Sequence, residues 1–148
     1  TASWVDCTIL VDMPPEESNV LSSIWAKYGL HSIYLCSPTT EDKRLALINR
    51  SGQGYAYFVS LKGVTGAEMA SLDAVKTRYL HCKQQIHLPI MVGFGIKTPD
   101  MAANIASFAD GVIIGAALIQ EILKAYQNQN DVNQAAAEFI HNIRSAMP

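Results

Sequence analysis

The sequence predicts a parallel α/β architecture, and three features predict it. Short apolar, β-rich runs alternate with segments of helical periodicity along all 148 residues. No β-hairpin turn signal separates consecutive runs. The runs are nearly all apolar, as expected of strands covered on both faces.

The elements follow in order. Cys7 to Val11 is the first strand run, broken by Asp12, Pro14 and Pro15. Glu16, Glu17 and Ser18 suit a helix N-terminus. Val20, Leu21, Ile24, Trp25 and Tyr28 then recur at helical spacing, and Gly29 stops the helix. Ser32 to Cys36 is the second strand. Thr39 and Thr40 offer N-caps for a helix whose buried side carries Leu45 and Ile48. Tyr55 to Val59 is the third strand. A glycine-containing loop, Ser60 to Glu68, leads to a helix with Leu72, Val75 and Tyr79 on one face. Ile90 to Val92 is the fourth strand, ending in Gly93-Phe94-Gly95. Thr98-Pro99 is a capping hydroxyl followed by proline in the first helical position. Gly111 to Ile114 is the fifth strand, closed by Gly115. One final helix carries Ile119, Ile122, Leu123 and Tyr126. The last starts at Asp131 and buries Val132, Ala136, Phe139, Ile143 and Met147.

Composition bounds the function. Hydrophobic residues make up 49% and charged residues 16%, enough apolar material for one well-packed domain spanning 1–148. Eleven basic and thirteen acidic residues leave a formal charge of -2 with no basic patch, which argues against a nucleic-acid partner. Three widely spaced cysteines, Cys7, Cys36 and Cys82, make neither a disulfide framework nor a zinc motif, and no metal site is expected. They suit a reducing, cytoplasmic compartment. No apolar stretch is long enough to span a membrane, and no signal peptide is present. The chain begins at Thr1 without a methionine, which reads as a cut through a longer sequence.

Five strands suit two architectures. By alternation alone, a complete flavodoxin-like domain fits 148 residues better than a TIM barrel, which needs eight strands. The turns shift that judgement. The third strand runs into Gly63-Val64-Thr65-Gly66, the fourth ends in Gly93-Phe94-Gly95, and the fifth in Gly115-Ala116 at the start of a helix. Glycines let a ligand approach the backbone closely, and N–H groups at a helix start favour an anion. One such turn is ordinary punctuation. Three at successive strand ends point to a phosphate group. The last two strands of TIM barrels recurrently form a phosphate cup.

Asp12-Met13-Pro14-Pro15-Glu16-Glu17-Ser18, Tyr57, Gly63-Val64-Thr65-Gly66-Ala67-Glu68 and Gly93-Phe94-Gly95-Ile96, in this order and spacing, resemble the tryptophan synthase alpha chain family. The resemblance covers essentially the whole chain. It implies strands four to eight of a TIM (β/α) barrel that cleaves indole-3-glycerol phosphate to indole and glyceraldehyde 3-phosphate. It places substrate phosphate on backbone groups of Gly66, Gly95, Gly115 and Ala116. Where the family usually has serine, this chain has Ala116, so a backbone contact survives there but a hydroxyl contact does not. Leu61-Lys62 likewise departs from the arginine-containing pairs often found before the loop.

The same resemblance implies that 63–68 is a loop closing over substrate, that Thr65 helps organise the closed site, and that Tyr57 stands near the indole and the catalytic carboxylate. Phe94 walls the indole pocket or packs beneath it. Asp12 organises the site or caps its own turn. The family's acid-base glutamate and its partner aspartate come from the second strand and the following loop, which match no segment of these 148 residues. Glu16, Glu17, Glu41, Asp42, Glu68 and Asp73 read as helix-start or solvated charges, and the four histidines suggest no triad. The chain alone is therefore expected to be inactive. The implied partner is the tryptophan synthase beta chain, in an assembly of two alpha and two beta chains. Pyridoxal phosphate belongs to that partner, and no cofactor is expected here. The competing readings are a flavodoxin-like phosphate- or flavin-binding module and a non-catalytic half-barrel fragment.

Overall fold

The computed structural model describes residues 4–60, 68–93 and 95–148, with 68–71 by backbone alone. The described elements are β1 (Cys7–Ile9), α1 (Asn19–Lys27), β2 (His31–Cys36), α2 (Asp42–Ser51), β3 (Ala56–Val59), α3 (Glu68–Gln85), β4 (Ile90–Gly93), α4 (Pro99–Ala106), β5 (Gly111–Ile113), α5 (Ala116–Gln127) and α6 (Val132–Ala146).

All four strand pairs are parallel, and the order across the sheet is β1-β2-β3-β4-β5. That order corrects the flavodoxin-like alternative. A flavodoxin-like sheet places its second strand outside its first and reverses direction at a switch point. Here every connection steps to the next strand in one direction, as in a barrel.

Local chemistry explains the boundaries. Gly29 ends α1 at φ 71, where a side chain would be strained. The Thr98 hydroxyl accepts from the Met101 N–H at 3.3 Å, with Pro99 next in line. Asp131 caps α6 by accepting from the Asn133 and Gln134 N–H groups at 2.8 and 3.1 Å. The expected threonine cap of α2 is not formed. Glu41 holds the N-cap position, and the Thr40 hydroxyl accepts instead from the Ser37 N–H at 2.8 Å, closing the preceding turn. β1 is shorter than expected because Leu10 and Val11 leave the ladder for a turn in which Met13 N–H reaches Leu10 O at 3.4 Å.

Register sorts the two sheet faces. Tyr34, Ala56 and Ile90 form one row and Cys36, Phe58 and Val92 another. All six are buried beneath the helices. Leu35, Tyr57, Met91 and Gly111 form the alternating row on the opposite face, and all are half-buried. Tyr79 of α3 enters the helix-side core edge-on to Phe58 and Phe108, with ring centroids 6.0 and 5.5 Å apart.

The Tyr79 hydroxyl donates to Ile90 O at 3.4 Å and accepts from the Asp110 N–H at 2.9 Å. Asp110 Oδ2 accepts from Lys83 Nζ at 2.6 Å and from the Ile90 N–H at 2.7 Å. Burial pushes the Tyr79 phenol up to about 12. For Asp110, burial works against the charge, but the bonds from Lys83 and Ile90 outweigh it and hold the carboxyl below its ordinary value. This cluster ties α3 to β4 and to the start of β5.

Three expected buried stripes are only partly buried. On α1, Val20, Ile24 and Tyr28 are exposed, while Leu21 and Trp25 are half-buried. On α5, Ile119, Leu123 and Tyr126 are exposed, and Ala117 and Ala125 make the buried face. On α6 only Ile143 is fully buried, with Val132, Ala136, Phe139 and Met147 half-buried.

Candidate phosphate-binding site

In a parallel sheet every strand ends on the same edge, so the segments after the strands converge there. Gly95 follows β4 in a left-handed turn at φ 79, which a side chain disfavours. Gly115 follows β5 and stands at the N-cap of α5 with no side-chain cap. A Cβ built on Gly115 would meet nothing within 4 Å, so the approach to it is open. The first helical bond runs from Ile119 N–H to Gly115 O at 3.1 Å. The N–H groups of Ala116, Ala117 and Leu118 therefore lie in the first turn, where an α-helix offers donors to an outside acceptor. Gly115 and Ala116 are both exposed.

Tyr57 stands on the half-buried sheet face, and burial raises its phenol pKa. Its hydroxyl lies over Gly93, where an added Cβ would fall 2.0 Å from the phenolic oxygen. Gly93 thus provides the space that Tyr57 occupies. The Ser60 N–H and hydroxyl both reach Gly93 O, at 3.3 and 3.1 Å, so the end of β3 is tied to the end of β4. Sequence reasoning named Gly93 only as part of a turn. The available signal was a glycine paired within a strand, which marks close approach by a neighbour.

Asp12 lies on the same edge after β1, exposed, and its carboxylate makes no hydrogen bond among the described residues. Gly66, Thr65 and Phe94 lie outside the described residues. Of the acids set aside earlier, Glu16 pairs with Arg44 at 2.9 Å, which lowers its pKa. Asp42 is also lowered, by hydrogen bonds from Gln85 and His81, the latter at 2.8 Å. Both behave as surface charges. Among the described residues, no three His, Cys, Asp or Glu side chains gather as metal ligands. No described helix is long and apolar enough to cross a membrane. A polar cleft between α5 and α6, lined by Glu121, Lys124, Asn130, Asp131 and Glu138, sits toward the other end of α5 from Gly115. It shares no residue with the glycine turns.

The sequence model of the tryptophan synthase alpha chain matches residues 2–148. The chain belongs to the tryptophan synthase alpha chain family. The alpha chain of Legionella pneumophila (strain Lens) is 56% identical over 143 residues, which is 97% of this chain and 53% of that protein. The crystal structure of the subunit from Legionella pneumophila str. Paris superposes with a TM-score of 0.84 at 51% identity, covering 96% of this chain and 52% of that one. A chain of the tryptophan synthase complex from Pyrococcus furiosus matches with a TM-score of 0.74 at 23% identity, covering 96% and 55%, a likeness of fold alone. The chain thus spans about half the length of these alpha chains, and its five parallel strands correspond to half of a TIM barrel.

Proposed function

We propose that residues 1–148 supply strands four to eight of a tryptophan synthase alpha chain and hold the phosphate of indole-3-glycerol phosphate. The observation that carries this reading is the uncapped, open start of α5 at Gly115, on the same sheet edge as the left-handed turn at Gly95. Backbone N–H groups of Gly115 and Ala116, with Gly95 and Gly66, form the phosphate cup. An alanine serves as well as a serine wherever the backbone is the donor. Tyr57 borders the indole end of the site, held over Gly93. Phe94 walls that end, Thr65 organises the loop over the substrate, and Asp12 supports the edge after β1.

The reaction is a retro-aldol-type cleavage in which the indole gains a proton at carbon 3 and the glycerol hydroxyl loses one. Carboxylates held in a water-poor site suit those transfers. Glu16 and Asp42 are committed to surface pairs with Arg44 and His81. By the family resemblance, the proton-moving glutamate and aspartate belong to the part of the barrel outside this chain. We assign the chain alone no cleavage activity and the complete protein a lyase activity in cytoplasmic tryptophan biosynthesis. The partner is a beta chain that carries pyridoxal phosphate and accepts the indole, in an assembly of two alpha and two beta chains. The alpha chain itself uses no cofactor.

The test is calorimetric titration with inorganic phosphate and glyceraldehyde 3-phosphate, using this chain and its Gly115→Asp variant. The backbone at Gly115 has φ -114, so aspartate fits without left-handed strain. It caps the helix and places a negative charge where the phosphate would sit. Saturable binding is expected in the parent, with at least tenfold weaker binding in a variant of unchanged helicity. Equal binding by the two, or none by the parent, sinks the assignment. Cleavage of indole-3-glycerol phosphate by the 148-residue chain would overturn its predicted inactivity.

A further inference from the structure

We propose, resting on the reading that Tyr57 borders the indole end of the site, that Met91 sets the room available to the ring there and that Gly111 positions Met91. Leu35, Tyr57, Met91 and Gly111 are register partners on four neighbouring strands, all half-buried on the sheet face away from the helices. Tyr57 of β3 fills the space over Gly93 of β4. Met91 of β4 fills the space over Gly111 of β5 in the same way. A Cβ added at Gly111 would fall 2.6 Å from Met91 Sδ and 3.5 Å from its Cε. Each side chain thus leans onto the next strand in the order. The backbone does not itself demand glycine at 111. Among the described residues the positive-φ glycines are Gly29, Gly54 and Gly95, and Gly111 lies in the regular ladder opposite Met91. The thioether is what occupies the place of the missing side chain, and a glycine within a strand marks such close approach.

Side-chain mechanics gives the consequence. The atoms that would meet a Cβ at 111 are the far end of an unbranched, flexible side chain, which yields by rotation before the strand does. With the slot on the β5 side closed, Tyr57 stands as register partner on the β3 side. The displaced thioether therefore turns up off the sheet, into the space beside the Tyr57 ring. Glycine at 111 keeps Met91 flat and that space open. A soft, polarizable sulfur is also a favourable neighbour for a flat aromatic ring. The phosphate cup is well removed from this row. Gly115 lies four residues beyond Gly111, roughly 13 Å at the rise of an extended chain. A change at 111 thus acts on the ring of the substrate and leaves its phosphate alone.

The test uses the complete alpha chain that contains these residues, as parent, Gly111→Ala, Met91→Ala and the double variant. Each is assayed with indole-3-glycerol phosphate and with analogues carrying one methyl group on the benzo ring, and titrated with inorganic phosphate. Gly111→Ala is expected to raise KM for the unsubstituted substrate at least about fivefold, with phosphate affinity within about twofold of the parent. In the double variant the intruding thioether is gone, and KM should return to within about twofold of the Met91→Ala value. Met91→Ala alone should shift the ratio of kcat/KM values toward at least one methylated analogue by about tenfold, because the extra methyl then finds room. That shift decides the question even if Gly111→Ala fails to fold. Cleavage by the parent with no shift in Met91→Ala overturns this inference alone, as does a rise in KM that the double variant keeps. A parent that cleaves no substrate overturns the assignment of the site and this inference with it.

Discussion

The middle of this molecule and its two flanks are built from the same kinds of residue but finish differently. In the middle, α2, α3 and α4 cover β2 to β4, and Leu45, Ile48, Phe58, Ile86, Ile90 and Val92 are fully buried. On the flanks, α1 and α5 carry equally apolar stripes, yet Val20 and Tyr28 at one side and Ile119 and Tyr126 at the other remain well over half exposed. Periodicity is thus a statement about which residues can share a surface. Whether that surface is covered depends on a neighbour. β1 and β5 are the two edges of the described sheet, and α1 and α5 are the helices that follow these edge strands. The lesson is that an apolar stripe identifies an interface without naming its partner.

This contrast can be broken from the middle outward. The largest effect is expected from Phe58→Ala, which empties a fully buried site between Tyr79 and the strands. Urea denaturation should show a loss of about 3–5 kcal/mol. A loss below about 1 kcal/mol would mean that the middle is no better packed than the flanks.

An intermediate effect is expected from Asp110→Ala, which leaves the Ile90 N–H without its carboxylate acceptor and removes the ion pair of Lys83, whose ammonium keeps only its bond to Leu88 O. The expected cost near neutral pH is about 1–3 kcal/mol. Its pH dependence has a definite sign. The folded-state carboxyl of Asp110 titrates below its ordinary value, so its stabilisation is fully present above that ordinary value. It is lost as pH falls through the folded pKa. Parent and variant should therefore converge in stability in acid, and a constant gap down to the lowest pH would contradict the assignment.

The smallest effect is expected on the flanks. Ile119→Ser and Tyr126→Ser should each change the stability of this chain by no more than about 0.5 kcal/mol. The same changes in an alpha chain of full family length should cost more, because there the stripe gains a neighbour. Equal small costs in both settings would show that the α5 stripe is a solvated surface.

Much of the fold was legible because it rests on local rules. Gly29, Thr98-Pro99 and Asp131 mark helix ends through backbone geometry and capping, and the structure uses each as expected. Thr40 was misread because its hydroxyl closes the preceding turn by accepting from the Ser37 N–H, while Glu41 holds the N-cap position. The glycine turns at Gly95 and Gly115 were legible as turns. That they end hydrogen-bonded neighbours is set by the strand order, which no short stretch of chain specifies. The role of Gly93 was hidden for a related reason. Nothing near it in sequence announces that Tyr57, 36 positions earlier, will lie across it. The Asp110–Tyr79–Lys83 cluster was missed entirely, because it joins a turn residue to a helix 31 positions away.

By itself, the sequence determined that strands and helices alternate, that the strands are parallel, that glycine turns follow the fourth and fifth strands, and which family the motifs belong to. These follow from periodicity, backbone freedom and residue order, which act over a few neighbouring positions. Only the tertiary structure decided between the two architectures that the alternation allows, through the consecutive strand order β1 to β5. It also decided which apolar stripes are covered, and that Tyr57 meets Gly93. The physical reason is the same in each case. Burial and contact are properties of two surfaces brought together across the sheet, and one stretch of chain specifies only its own.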